Sequence, residues 1–156
     1  FSSEIDELDR KNVRIRILGD VDGLPDAQRE AVIRAMERTR GNTGLNLCIA
    51  LNYGGRQEIV RAARILARKA CDGALDPDRI GDEEFSNALY TAGLPDVDLL
   101  IRTSGEQRLS GFLLYQCAYA EFVFPSVLWP DFSLDDYHAA LDVYAGRDRR
   151  YGGRKA

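Results

Sequence analysis

One histidine, His138, is all the imidazole that this 156-residue chain possesses, and it lies far from the three cysteines. A Ser-His-Asp triad and Cys/His metal chemistry are thereby excluded. Cys48, Cys71 and Cys117 are odd in number and widely spaced, with no CxxC pair, so they read as reduced, mostly buried thiols rather than a disulfide or zinc framework. No apolar run approaches the length that spans a bilayer, and no secretory signal opens the sequence. The expected location is the cytoplasm, with any membrane contact peripheral. A basic excess is also missing: the formal charge is −4, which argues against nucleic acid as a main partner. Internal repeats and low-complexity tracts are absent. What remains, 45% apolar content with 14 glycines, is the composition of one globular domain able to bury a core.

Strand and helix patterns alternate along the chain. β-Branched residues at 13–18 predict a strand ended by Gly19 and Asp20. Residues 25–40 predict an amphipathic helix with Pro25 in its first turn, an apolar side of Ala27, Ala31, Ile33 and Met36, and Gly41-Asn42 as terminator. Residues 45–51 are almost wholly apolar, as in a strand covered on both faces. A helix is expected over 57–70, burying Ile59, Val60, Ala63, Ile65 and Leu66, then a short one over 83–91. A strand at 97–101, a helix at 112–118, a strand at 121–124 and a helix at 134–147 complete the series, with Trp129 as a core anchor. Alternation of this kind gives an α/β fold with a parallel central sheet flanked by helices.

Ligands of such sheets sit beyond the carboxyl ends of the strands. Three segments meet that condition: Gly19-Asp20, Asn52-Tyr53-Gly54-Gly55-Arg56, and residues 102–110. The last is the most specific. Arg102, Thr103, Arg108 and Ser110 bring two guanidiniums and two hydroxyls into a Gly-containing turn, a donor set suited to phosphate or diphosphate. Ordinary pairing of these arginines with Glu106 and Asp98 is the competing reading. Glu121 opens an apolar strand, where a carboxylate needs a salt bridge or a metal. The Gly-Gly pair in NYGGR matches neither dinucleotide nor P-loop spacing and is weak alone. The arginine-rich tail, 146–154, reads as a solvated terminus or as an arm toward a second anionic site.

Assembled, the blocks NVRIRILGD, GNTGLNLCIALNYGGRQEIV, DVDLLIRTSGEQRLSGFLLYQCAYAEFVFPSVLWPDF and GRDRRYGG resemble, in order, those of the cis-prenyltransferases, the undecaprenyl diphosphate synthase family. The resemblance implies that Arg102, Arg108, Leu109 and Ser110 bind isopentenyl diphosphate and that Glu121 helps to bind Mg2+. It implies that Phe1-Ser2-Ser3-Glu4 matches the family's FSxEN segment at the substrate site. Arg150-Tyr151-Gly152 resembles the RxG element, whose Arg150 and Gly152 would reach across a homodimer. The family's MDGNxRWA motif, with its magnesium aspartate for the allylic diphosphate (geranyl or farnesyl), has no counterpart here, and the resemblance places a gap near Glu4. Gln107 and Gly111 stand where histidine and asparagine occur in other members. Leu45, Leu47, Ile49 and Leu51 share one strand face and would wall an apolar prenyl tunnel. Leu51 stands where longer-chain members often have alanine, which implies a short or medium product. A non-catalytic scaffold or partner subunit of the same fold, and a phosphate- or nucleotide-binding regulatory domain, are the alternatives.

Overall fold

The structure, a computed structural model, describes residues 2–147, with Ser2 and Ser3 as backbone only. Among the described residues the backbone gathers into two compact units that divide after Gly93.

In the first unit, α1 (Ser2–Arg10) leads into β1 (Arg14–Leu18), α2 (Asp26–Thr39), β2 (Asn46–Ala50), α3 (Gly55–Cys71) and the short α4 (Asp82–Ser86). β1 and β2 pair in parallel with Arg14 opposite Asn46 and Leu18 opposite Ala50. A parallel pair needs a crossover, which α2 supplies. The other edge of β1 is closed by a side chain. The Ile15 N–H donates to Thr39 Oγ1 at 3.0 Å, and that hydroxyl donates to the Ala35 carbonyl at 2.9 Å. Thr39 is 0% exposed, so the strand edge and the last turn of α2 satisfy each other without water.

The buried stripes differ from those expected. In α2 the core positions are Val32, Ala35 and Thr39, while Ala27 and Ile33 face solvent and Ala31 and Met36 are half-buried. In α3 they are Gly55, Glu58, Ala62 and Leu66; Val60 and Ala63 are exposed, and of the expected set only Leu66 is buried. Both shifts have one cause: a polar residue occupies the inner row because it finds internal partners. β2 is not covered on both faces either. Leu45 and Ile49 remain 68% and 39% exposed, and among the described residues β2 pairs with β1 alone. The helix expected over 83–91 stops at Ser86, since the Tyr90 N–H is taken by the Glu58 carboxylate rather than by a carbonyl four residues back.

The second unit pairs β3 (Leu99–Ile101) with β4 (Glu121–Val123) in parallel, followed by α5 (Leu134–Ala145). The helix expected at 112–118 is replaced by successive turns. Ser110, Gly111 and Leu113 take φ of +48°, +83° and +43°, which a right-handed helix cannot contain. Trp129 is no core anchor: it is 73% exposed, in a 3-10 turn, Trp129–Asp131, stacked on Phe132 with ring centroids 5.9 Å apart. Ser133 caps α5, its hydroxyl accepting from the Asp136 N–H at 3.2 Å while the Asp136 carboxylate accepts from the Ser133 N–H at 2.8 Å. The Ser133 hydroxyl, donating to that carboxylate at 2.6 Å, and then the Ser133 N–H hold the Asp136 carboxyl below its ordinary pKa. Of the cysteines, Cys117 is buried, Cys48 half-buried and Cys71 exposed. Burial raises the Cys48 and Cys117 thiols. No helix among the described residues is long and apolar enough to cross a membrane.

Thr39→Val removes the acceptor and leaves a buried N–H on Ile15. It is expected to lower stability by about 1–3 kcal/mol in urea denaturation, with Thr39→Ser close to wild type.

Candidate functional site

Residues 102–110 follow β3 directly, and their conformation is fixed by the neighbouring 123–127 segment. Arg102 N–H donates to the Val123 carbonyl at 3.0 Å, Ser104 N–H to Val127 at 2.7 Å and Gly105 N–H to Pro125 at 2.9 Å. Ser104 and Gly105 adopt φ of +70° and +66° to make this turn. Their amides therefore serve the fold. Arg102 donates through Nη1 to the Arg108 carbonyl and, at 3.1 Å, to Ser110 Oγ. Its guanidinium closes the loop like a strut and is half-buried as a residue. Arg108 is exposed and pairs with Glu106, the surface pairing foreseen for it. Leu109 is half-buried, and its carbonyl accepts from the Phe112 N–H at 2.9 Å.

The structure thus brings Arg102, Arg108 and Ser110 together. Glu121 stands at the other end of the short ladder, opposite Leu99, roughly 7–10 Å from the loop at the usual strand rise. Its carboxylate accepts from Arg147 Nη1 at 2.6 Å. No group of three or more His, Cys, Asp or Glu among the described residues is arranged around a cation. Mg2+ commonly keeps several waters and takes one or two carboxylates plus substrate phosphates. Glu121 fits a cation that arrives with a diphosphate, and no closed protein cage is formed. Glu4 lies on α1 and is exposed; Arg150 and Gly152 fall outside the described residues, as do the side chains of Ser2 and Ser3.

In the first unit, the two other strand-end segments meet. Gly19, at φ +138°, passes so near the chain that a Cβ there would lie 1.9 Å from the Leu51 carbonyl oxygen. Asp20 N–H donates to the Asn52 carbonyl at 3.2 Å, and Asn52 Nδ2 donates back to the Asp20 carbonyl at 3.0 Å. Beside them opens a cleft of about 490 Å³ that includes Tyr53, Gly54, Glu58, Arg61 and Tyr90. Glu58 is 1% exposed and is held from two sides: the Tyr53 hydroxyl donates to Oε2 at 2.5 Å and the Tyr90 N–H to Oε1 at 2.7 Å. Arg61 lies 4.4 Å above the Tyr90 ring and donates to the Ala88 carbonyl at 3.1 Å. Burial raises the Tyr90 phenol, opposed by the Arg61 charge. The reading from sequence overlooked Glu58; its signal was an acid in the same helical row as Ala62 and Leu66.

Parallel α/β units with an arginine-serine loop beyond a strand end define the protein as one of the α/β class. The family model described as "Putative undecaprenyl diphosphate synthase" matches residues 1–152. An isoprenyl transferase of Clostridium perfringens is 48% identical over 99% of this chain and 61% of its own length. A ditrans,polycis-undecaprenyl-diphosphate synthase ((2E,6E)-farnesyl-diphosphate specific) of Micrococcus luteus is 48% identical over 94% of the chain and 59% of its own. Among solved structures, lavandulyl diphosphate synthase from Lavandula x intermedia, in complex with dimethylallyl diphosphate, superposes with a TM-score of 0.92 at 39% identity, covering 97% of this chain and 66% of that one. The chain belongs to the undecaprenyl diphosphate synthase family of prenyltransferases. It spans 61% and 59% of the two curated relatives.

Glu58→Leu strips two buried donors of their acceptor. The expected loss is about 2–4 kcal/mol in urea denaturation, and Tyr53→Phe, which removes one donor, is expected to lose less.

Proposed function

We propose that the protein is a magnesium-dependent cis-prenyltransferase, condensing isopentenyl diphosphate with an allylic diphosphate such as geranyl or farnesyl diphosphate to a Z-configured polyprenyl diphosphate. The observation that carries this reading is the braced loop of Arg102, Arg108 and Ser110 at the end of β3, in a chain of this family. Arg102 is tied within the loop and sets its shape, and its further N–H groups offer donors to a diphosphate. Arg108 exchanges Glu106 for that diphosphate; an exposed ion pair contributes only about 0–1 kcal/mol, so the exchange is easy. Ser110 adds a hydroxyl, and Leu109 shapes the loop beside it. Mg2+, when bound with Glu121, neutralises charge on the diphosphate group. Glu121 is freed for that task by movement of Arg147, itself a cation beside the same anion.

Ser2, Ser3 and Glu4 complete the substrate-binding set in this reading, and Arg150 and Gly152 act in a homodimer on the partner's site. The growing chain lies against Leu45, Leu47, Ile49 and Leu51. Support for that wall is the exposure of Leu45 and Ile49, together with Ile15 and Ile17, the register partners of Leu47 and Ile49 on the same sheet face. Peripheral contact with a membrane follows from a lipid-like product.

Incorporation of radiolabelled isopentenyl diphosphate into a farnesyl or geranyl primer, with the full-length gene product, tests the reading. Mg2+-dependent product is expected, with Arg102→Ala lowering turnover by about 10²–10³-fold. Absence of incorporation in a folded, magnesium-loaded protein refutes it in favour of a scaffold role. In the same assay Leu51→Ala is expected to lengthen the product by chromatography; an unchanged distribution rejects Leu51 as a chain-length wall.

A further inference from the structure

Charge on α3 is segregated to the outside. The helix carries Arg56, Arg61, Arg64, Arg68 and Lys69, and its one carboxylate, Glu58, is the group that points inward at 1% exposure. On α2, by contrast, carboxylates stand beside arginines: Arg29 pairs with Asp26, Arg34 with Glu30, and Arg38 with Asp6 and Asp9 of α1. Arg56, Arg64 and Arg68 are exposed, and among the described residues their guanidiniums form no hydrogen bond or ion pair. The helical period explains where they stand. With Glu58, Ala62 and Leu66 turned to the core, Arg56, Val60, Arg64, Ala67, Arg68 and Cys71 fall on the opposite side. All six are exposed, Val60 at 48%. Three guanidiniums are thus laid over about 18 Å of helix, with small apolar side chains between them.

A helix face is convex, so a single small anion meets one guanidinium at a time. Nucleic acid is a poor match as well, because no aromatic side chain lies on this face to stack with bases. A plane of anionic headgroups satisfies all three cations together and takes Val60 and Ala67 at its boundary with the acyl chains. The formal charge of −4 does not prevent this. At a Debye length of about 8 Å the surface responds to the nearest charges rather than to the whole molecule. We propose that the outer face of α3 is where the protein docks on an anionic bilayer, with Arg56, Arg64 and Arg68 on lipid phosphates. With no Trp, Phe or Leu on this side of the helix, docking is electrostatic and reversible and involves no deep insertion. The assignment rests on the peripheral membrane contact that a lipid-like product calls for, and gives that contact a surface.

The test is co-sedimentation of the full chain with vesicles of phosphatidylcholine, alone or mixed equally with phosphatidylglycerol, and free of isoprenoid so that the outcome does not depend on prenyl transfer. Binding is expected on the mixed vesicles, at least tenfold weaker on phosphatidylcholine, weakened by added salt, and undisturbed by inorganic phosphate at the concentration of the lipid phosphate. Each cation near such a surface contributes roughly fivefold in affinity, so Arg64→Gln is expected to weaken binding severalfold and Arg64→Glu with Arg68→Glu more than tenfold. The single change reports even if the double variant fails to fold. Arg34→Gln, which removes a guanidinium already matched by Glu30, is expected to leave binding unchanged. Equal binding to both kinds of vesicle, binding indifferent to Arg64→Gln, or tighter retention on polyuridylic RNA than on the mixed vesicles overturns the proposal.

Discussion

A single buried carboxylate organises the first unit. Glu58 projects from the first turns of α3 into a space where it meets the Tyr53 hydroxyl and the Tyr90 N–H, 2.5 and 2.7 Å from its two oxygens. Burial of a carboxylate is unfavourable unless such donors replace water, so each bond is obligatory for the others. The consequence reaches both ways along the chain. Tyr53 is fixed in the loop that ends β2, and the 88–92 segment is fixed after α4. Arg61 and Arg16 reinforce the latter by donating to the Ala88 and Ala92 carbonyls. Gly19, Asp20 and Asn52 then close around the same place because their backbones bond to one another.

The second unit achieves a rigid loop by another route. Here the backbone amides of Ser104 and Gly105 are anchored on residues 125–127, and Arg102 reaches across to Arg108 and Ser110. An arginine used as a strut holds a carbonyl and a hydroxyl in place while keeping its charge at the loop. The exposed arginine, Arg108, is the one that can change partner. Such a division, one guanidinium for shape and one for exchange, is what an anion site needs if it is to bind and release.

Much of this was legible in the residues. β1, β2, α2, α3 and α5 fall close to where β-branched runs, Pro25 and the glycine pairs place them, because those signals act locally. The Arg102–Ser110 grouping was legible too, since it depends on a turn only nine residues long. Hidden were the features that depend on distant partners. α1 has few apolar positions, and its side chains are held by Arg38 on Asp6 and Asp9 and by Asn42 on Asp9. Glu58 and Thr39 look solvent-facing until the Tyr90 and Ile15 amides are brought to them. The helix read at 112–118 failed because its composition allows helix while the positive φ angles at 110–113, set by the loop, do not. Trp129 shows the limit of reading size as burial, since its ring stacks on Phe132 and still faces outward.

The account turns on Arg102 and Arg108 acting on the same diphosphate. Side-chain NMR of arginine-labelled protein, titrated with isopentenyl diphosphate in the presence of Mg2+, observes both guanidiniums directly. Saturable shifts of the two Nε–H signals with one common affinity, larger at Arg108 as it leaves Glu106, are the predicted result. A folded protein in which neither signal moves at saturating diphosphate would contradict it.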